Sequence, residues 1–257
     1  MERAAHWNWN TSTKEIPFSS WQDRFEWVEE PQASPDGESV AAIVKVGESE
    51  FNACVDGETW PEGFDKMWYL RYAPDGRLTA IVSKDGEWTV AVDGAAWENR
   101  FSYVWNTLFS ADGRHVAVAF QQDMSYGMAC NDTPWEQTFP NLTNPMISLN
   151  DGQTAAVVQV EALSEGEIHK YQQGIYSAAV GGVPWEQRFV NIWKTAFSLD
   201  GNESRQGGAI QPAQRFQLCK GFPHAHQPGS ATGWINDDIR QFPGNALCQL
   251  VTHDLFS

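Results

Sequence analysis

Basic side chains are scarce in this chain: 17 lysines and arginines stand against 33 aspartates and glutamates in 257 residues, a formal net charge of -16. A broad nucleic-acid-binding face is disfavoured, because phosphate contacts draw on clustered lysine and arginine. An anionic membrane surface is disfavoured for the same reason. No uncharged apolar run approaches the roughly 18 residues of a membrane helix, so no direct membrane insertion is expected. The opening stretch MERAAHWNWNTSTKEIPF lacks the apolar core of a secretory signal, and a cytoplasmic location is the expectation. Cysteine is sparse and dispersed, at Cys54, Cys130, Cys219 and Cys248. There is no CxxC for zinc or thiol exchange and no CxxCH for covalent haem.

Signatures of catalysis are missing too. The chain has no GxSxG elbow, no P-loop, no HExxH, and no GxGxxG in a strand-to-helix setting. The Asp-Gly turns do not extend into a calcium loop, which needs acidic ligands at alternate positions and a late glutamate. Six histidines are scattered through the chain; His224 and His226 share a strand face by their spacing and form a weak metal candidate. His115, just after a turn, reads as a surface residue. The acidic pairs Glu29-Glu30 and Asp237-Asp238 read as solvated charge rather than as facing glycosidase carboxylates. Four Asn-x-Ser/Thr sequons, beginning at Asn10, Asn131, Asn141 and Asn202, read as coincidence in a chain without a signal. No catalytic residue, cofactor site or metal site is assigned.

Tryptophan, by contrast, is abundant, with 13 residues, and an internal repeat accounts for it. One anchor is Trp-x-x-x-Phe: Trp21/Phe25, Trp60/Phe64, Trp97/Phe101, Trp135/Phe139 and Trp185/Phe189, with steps of 39, 37, 38 and 50. The other is Asp-Gly: Asp36-Gly37, Asp75-Gly76, Asp112-Gly113, Asp151-Gly152 and Asp200-Gly201, with steps of 39, 37, 39 and 49. Two anchors moving together define a unit of about 38 residues. The long fourth interval predicts an insertion near Glu161–Gln173 (EALSEGEIHKYQQ).

Each of the first four Asp-Gly pairs is followed by an alanine within a short apolar, β-branched run: Ala41, Ala80, Ala117 and Ala156. That pattern predicts a buried strand. A second run ends in an Asp- or Gly-rich turn, as in EWTVAVDG, and leads into the Trp-x-x-x-Phe element. Units of about 40 residues with three or four short strands predict an all-β propeller. Five units are visible, as part or all of a five-to-seven-bladed ring. The Trp/Phe pairs and Asp-Gly turns are expected to be structural, with aromatics filling the wedges between blades. Trp60/Trp68, Trp97/Trp105 and Trp185/Trp193 share a spacing of eight, and an electron-transfer or stacking ladder is the sharper alternative. Cys54 and Cys130 are assigned to one small-residue column with Ala91 and Ala179.

The predicted organisation is residues 1–20 as a segment that could supply a closing strand, 21–201 as propeller repeats, and 202–257 as a divergent region. Arg205 stands where the fifth unit should carry alanine, and neither anchor recurs after residue 201. Residues 1–201 hold 13 basic and 29 acidic side chains, and 202–257 hold 4 and 4. Two readings stay open: a divergent closing blade or extension, or a reading-frame shift near codon 202 that makes the remainder non-native. Shifted by one base, with permissible codons, the ESRQGGA stretch reads Lys-Val-Ala-Arg-Ala-Val, the missing strand pattern.

SPDGESVAAIV at 34–44, YAPDGRLTAIV at 72–82, FSADGRHVAVA at 109–119 and, more loosely, SLNDGQTAAVV at 148–158 resemble the WD40-like blades of TolB-type propellers. With the added Trp-x-x-x-Phe elements, as in AVDGAAWENRF at 91–101, the chain looks like the tryptophan-rich TmcD subunit family of the Tmc transmembrane electron-transfer complex of sulfate-reducing bacteria. The resemblance implies a cofactor-free accessory subunit on the cytoplasmic side, with iron–sulfur and membrane haem-b subunits as partners. That family offers no catalytic motif to carry over. The alternatives are a stand-alone TolB-like propeller that binds proteins or peptides and, last, a propeller hydrolase.

Overall fold

The computed structural model describes residues 19–192 and 194–197, together with the backbone of two strands at 216–219 and 247–250. The segment 1–18, most of 202–257, Trp193 and the candidate pair His224/His226 lie outside the described residues.

Four successive four-stranded antiparallel meanders make up the described repeats. After a short helix α1 (Ser19–Gln22), blade 1 contains β1 (Val28–Ala33), β2 (Val40–Gly47), β3 (Glu50–Val55) and β4 (Glu58–Thr59). Blade 2 contains β5 (Lys66–Tyr72), β6 (Leu78–Lys84), β7 (Glu87–Val92) and β8 (Ala95–Ala96). Blade 3 contains β9 (Tyr103–Phe109), β10 (Val116–Gln122), β11 (Ser125–Cys130) and β12 (Thr133–Pro134). Blade 4 contains β13 (Asn141–Ile147), β14 (Thr154–Gln159), a helix α2 (Ile168–Gln173), β15 (Tyr176–Val180) and β16 (Val183–Pro184). A further sheet has another pattern: β17 (Lys194–Ala196) pairs antiparallel with β19 (Leu247–Leu250), which pairs parallel with β18 (Phe216–Cys219). The chain is all-β, built of propeller-type blades whose number fits an incomplete propeller. It divides into two compact units, 1–134 and 135–257.

The strand cores follow from the alternation of buried alanine and β-branched residues. In blade 1, Ala41, Ile43 and Ala53 face blade 2 and pack on Met67, Leu78, Ala80 and Val82, with Trp60 and Phe64 in the same cluster. Between blades 2 and 3, Ile81, Trp88 and Val90 pack with Trp97, Phe101, Val104 and Val118. Small residues at the strand centres let two sheets approach, and the large Trp and Phe rings fill the wedge that remains.

Short polar links hold three of the Trp-x-x-x-Phe elements on the third strand of their blades. The N–H groups of Trp60, Trp97 and Trp185 donate to the carbonyls of Ala53, Val90 and Ala178 at 2.9–3.0 Å. Phe64, Phe101 and Phe189 form isolated two-way bridges with Phe51, Trp88 and Tyr176. Inside the intervening loop, Asn52 Nδ2 donates to Trp60 O (3.0 Å), Thr89 Oγ1 to Asn99 O (2.7 Å), and Ser177 Oγ to Gln187 O (2.9 Å). The buried polar side chain at this repeat position satisfies loop carbonyls that would otherwise be stranded.

Register departs from the sequence count in one respect. Blades 1 and 3 carry two residues between the Asp-Gly glycine and the second strand, and blade 2 carries one. Val40, Leu78 and Val116 are therefore equivalent: each N–H is held by the Asp or Asn at the next turn. Cys54 lies opposite Ala42, as Ala91 lies opposite Ala80 and Ala179 opposite Ala156. Cys130 instead lies opposite Ala117, and Ala129 takes the column of Cys54. The two thiols are thus one residue out of step, which places them on opposite faces of their strands.

The predicted insertion is the connection between β14 and β15, where the other blades have tight hairpins. It contains α2 and is pinned by Glu161, whose carboxylate meets Arg188 at 2.9 Å and Lys170 at 3.2 Å.

Candidate interaction surface

The sequence anchors occupy two kinds of place. Trp21, Phe25, Trp60, Phe64, Trp97, Phe101, Trp135, Phe139 and Phe189 are buried, and Trp185 is half-buried. Trp135 Nε1 donates to Thr154 Oγ1 at 2.8 Å. The Asp-Gly pairs form the turns between first and second strands. Asp36, Asp75, Asp112 and Asp151 each accept, through Oδ1, the backbone N–H two residues on, at 3.0–3.2 Å. Gly37, Gly76, Gly113 and Gly152 have φ between 70° and 94°. Asp supplies the acceptor and Gly the left-handed step, which is why the pair recurs. At Gly113 space is limiting as well: a Cβ there would sit 2.4 Å from Asp75 N of the neighbouring blade.

The same end of the blades carries a second tier of turns. Asp56, Asp93 and Asn131 have φ of 48°, 49° and 45° and accept from the N–H groups of Val40, Leu78 and Val116 at 2.8–2.9 Å. Asn131, the sequon residue, thus has its side chain engaged within the fold. A cleft between blades 1 and 2 is lined by Asp36, Asp75, Asp93, Trp60, Pro74 and Tyr72. The Tyr72 hydroxyl is buried there without a hydrogen-bond partner among the described residues. Burial and the surrounding Asp56, Asp36 and Asp93 push its pKa up to about 12.

The first strands hold a feature with no sequence signature. Glu30, Tyr69, Asn106 and Asn144 recur at steps of 39, 37 and 38, and each has a left-handed φ of 49°–60°. Every one sits in a β-bulge against the second strand. Adjacent bulges are tied together: Leu70 N–H donates to Glu30 Oε2 (2.9 Å) and Arg71 Nη1 to Thr107 O (3.4 Å), with the Arg71 guanidinium over Tyr69. Residue type varies at this position because the backbone, not the side chain, is what repeats. Bulges re-aim side chains and recur near binding sites.

At the opposite end of blades 2 and 3 lies a run of aromatic rings. Trp68 and Trp88 are 4.2 Å apart between centroids, Tyr103 is 5.8 Å from Trp88, Trp105 stacks on Tyr103 at 6.1 Å, and Tyr126 meets Trp105 edge-on at 6.0 Å. Trp68, Trp105 and Tyr126 are half-buried and Tyr103 is exposed. Trp68 and Trp105 are the second members of tryptophan pairs spaced by eight in the sequence. The continuation of the run through Trp88 and Tyr126 had no such signal, because those rings come from other strands, while Tyr103 lies two residues before Trp105 on β9.

Among the described residues, no three His, Cys, Asp or Glu side chains form a group placed to hold a metal ion. No described helix is long and apolar enough to cross a membrane. Burial raises the thiol pKa of both Cys54 and Cys130.

No family model matches the chain, and no curated protein matches it. Among solved structures, TolB from Acinetobacter baumannii is similar at 18% identity, covering 62% of this chain and 43% of that one, with a TM-score of 0.32. The Cps50 (Swd1) β-propeller domain of Myceliophteria thermophila is similar at 17% identity, covering 57% and 53%, with a TM-score of 0.31. Kuenenia stuttgartiensis hydrazine synthase is similar at 16% identity, covering 52% and 50%, with a TM-score of 0.33. The chain spans about half the length of these structures.

Proposed function

We propose that this protein is a non-catalytic, cofactor-free interaction subunit of a membrane-associated electron-transfer complex. It would meet iron–sulfur and membrane haem-b subunits at the inner face of the cytoplasmic membrane. The observation that carries the interaction reading is the aromatic run on blades 2 and 3, where Tyr103 remains exposed beside half-buried tryptophans. Rings of this kind supply large contact area at small entropic cost and are enriched at protein interfaces. The redox assignment draws on the Trp-x-x-x-Phe and AVDGAAWENRF resemblance. The acidic surface would steer a basic partner toward it. Residues 202–257 are read as divergent or frame-shifted sequence outside the repeat.

The test is native co-purification. An N-terminally tagged chain is recovered from gently solubilised membranes, and its visible spectrum and subunit masses are recorded. Haem bands with iron–sulfur partners are expected; recovery of a colourless, folded chain alone overturns the redox assignment. A stand-alone TolB-like binding propeller is the second reading, favoured by the bulged first strands of successive blades. A peptide-binding profile without redox partners would support it.

A further inference from the structure

We propose that the hairpin ends of blades 2 and 3 dock an arginine-bearing extended segment of a partner protein, with Met124 and Tyr103 as its main contacts. The inference rests on the interaction reading above and gives that reading a surface and a partner chemistry.

The starting observation is a departure from the repeat. The turn between β6 and β7 is Asp85-Gly86, with φ of 55° and 83°. The matching turn between β10 and β11 is Asp123-Met124, with φ of 49° and 63°. Tight hairpins with two left-handed residues call for glycine at the second position, and a methionine there is strained. Burial does not compensate, because Met124 is 79% exposed. The side chain thus costs the fold something and packs little, which points to a use outside the fold. Methionine suits such a use, being flexible and polarizable and common on adaptable binding surfaces.

An aromatic floor begins one residue contact away from Met124, beyond Gln121. The Met124 sulfur accepts from Gln121 Nε2 at 3.8 Å. Gln121 pairs in register with Tyr103 on one side and Tyr126 on the other. Trp105 lies against both tyrosines, and Tyr103 continues the floor to Trp88 and Trp68.

Charge selects the occupant. Glu87 and Asp123 stand at these strand ends outside the ion pairs of the described residues, while Asp65 and Asp85 act on Lys84 and Asp65 Oδ2 accepts Asp85 N–H at 2.8 Å. The nearby cations are engaged: Lys84 pairs with Glu62, and the Lys66 ammonium lies 5.8 Å over the Trp88 ring. A cation on a ring face is therefore already a contact this surface makes, while Tyr103 offers an exposed face. Arginine fits better than lysine, because its planar, weakly hydrated guanidinium stacks on a ring and still reaches a carboxylate. A nucleic acid stacked on the same rings would bring phosphates against the carboxylates.

The full-length chain, carrying isotope-labelled methionine methyls, is titrated with a synthetic glycine-spaced arginine peptide and with its citrulline counterpart, which keeps the shape and loses the charge. The arginine peptide is expected to shift the Met124 methyl among the five methionines. Binding should weaken with salt and fall about tenfold for citrulline. Met124→Gly installs the turn residue of blade 2, so the thermal midpoint should rise while arginine-peptide affinity falls about fivefold. Tyr103→Leu keeps bulk, loses the ring face and should weaken binding similarly.

Equal binding of the citrulline peptide, or undiminished binding by both variants, overturns the inference. The two readings fail separately. If haem partners co-purify equally with wild type and Met124→Gly, this surface is wrong and the redox assignment stands. If the arginine peptide binds at Met124 and no haem partner co-purifies, the surface stands and the redox assignment falls.

Discussion

Replacing Asp93 separates two things its side chain could be doing. Its Oδ1 accepts from Leu78 N–H at 2.8 Å, its own φ is 49°, and Leu78 is buried. In Asp93→Ala the Leu78 N–H loses a charged acceptor at the edge of a packed strand, worth about 1.5–3 kcal/mol. Alanine also tolerates the left-handed step less well, by about 1 kcal/mol. Since water reaches this turn and recovers part of the first loss, the expected destabilisation is about 2–3 kcal/mol. Asp93→Asn keeps an oxygen acceptor and a residue at ease with positive φ, and the repeat already contains that solution in Asn131, which holds Val116 N–H at 2.9 Å. Its expected loss is under about 1 kcal/mol. The assay is urea unfolding, comparing midpoints at constant m. A local probe accompanies it. The Asp93 charge is one of the groups that raise Tyr72, so Asp93→Asn should lower the Tyr72 pKa from about 12. Equal losses from Asn and Ala would refute the hydrogen-bond account and leave charge as the cause. No loss from Ala would refute the capping role altogether.

Gly113→Ala should cost at least about 2 kcal/mol, read by the same unfolding curves, because φ is +78° and the new Cβ would meet backbone rather than a side chain that can move. Tyr72 holds its proton longer folded than unfolded, so between about pH 10 and 12 the unfolded state binds fewer protons and stability falls as pH rises. With the ring half-buried, the loss is about 1–2 kcal/mol. Tyr72→Phe should flatten that slope without destabilising the protein at neutral pH, since the hydroxyl it removes has no described partner; a neutral-pH loss above about 1 kcal/mol would contradict this. Cys54 should resist thiol-reactive reagents in the native state more than Cys130, because it is fully buried and Cys130 only partly so. Mass spectrometry of the labelled sites checks the order.

The propeller class and four of its blades were legible because the same physical demands return in each unit. A turn needs an acceptor followed by a left-handed residue, and Asp-Gly supplies both. A wedge between sheets needs large rings, and Trp-x-x-x-Phe supplies them. Register was less legible. Counting from the glycine aligned Ala41 with Ala80, but the turn before Val40 is one residue longer than the turn before Leu78, and one residue turns a strand over. The column assigned to Cys54 and Cys130 holds Cys54 and Ala129 instead, because Cys54 stands two residues before its turn residue Asp56 and Cys130 only one before Asn131. The bulges at Glu30, Tyr69, Asn106 and Asn144 left no trace in residue type, because a backbone-held conformation accepts whichever side chain tolerates it.

That contrast locates where this repeat is free to diverge. Where side chains maintain the fold, the blades agree on Asp at the turn and on Trp and Phe in the wedge, and blades 1, 2 and 4 share a small polar residue under the loop at Asn52, Thr89 and Ser177, where blade 3 has Gly127. At the hairpin ends of blades 2 and 3 and at the first-strand bulges the backbone agrees and the side chains do not. Asp85-Gly86 becomes Asp123-Met124, and Glu30 becomes Tyr69 and then Asn106. A position that keeps its geometry while exchanging its chemistry presents different groups on one frame, and a recognition surface needs that property. The sequence already held this signal in SKDGEW beside QQDMSY. It became readable only once both segments were placed on the same turn, with the methionine standing in solvent where its neighbour has glycine.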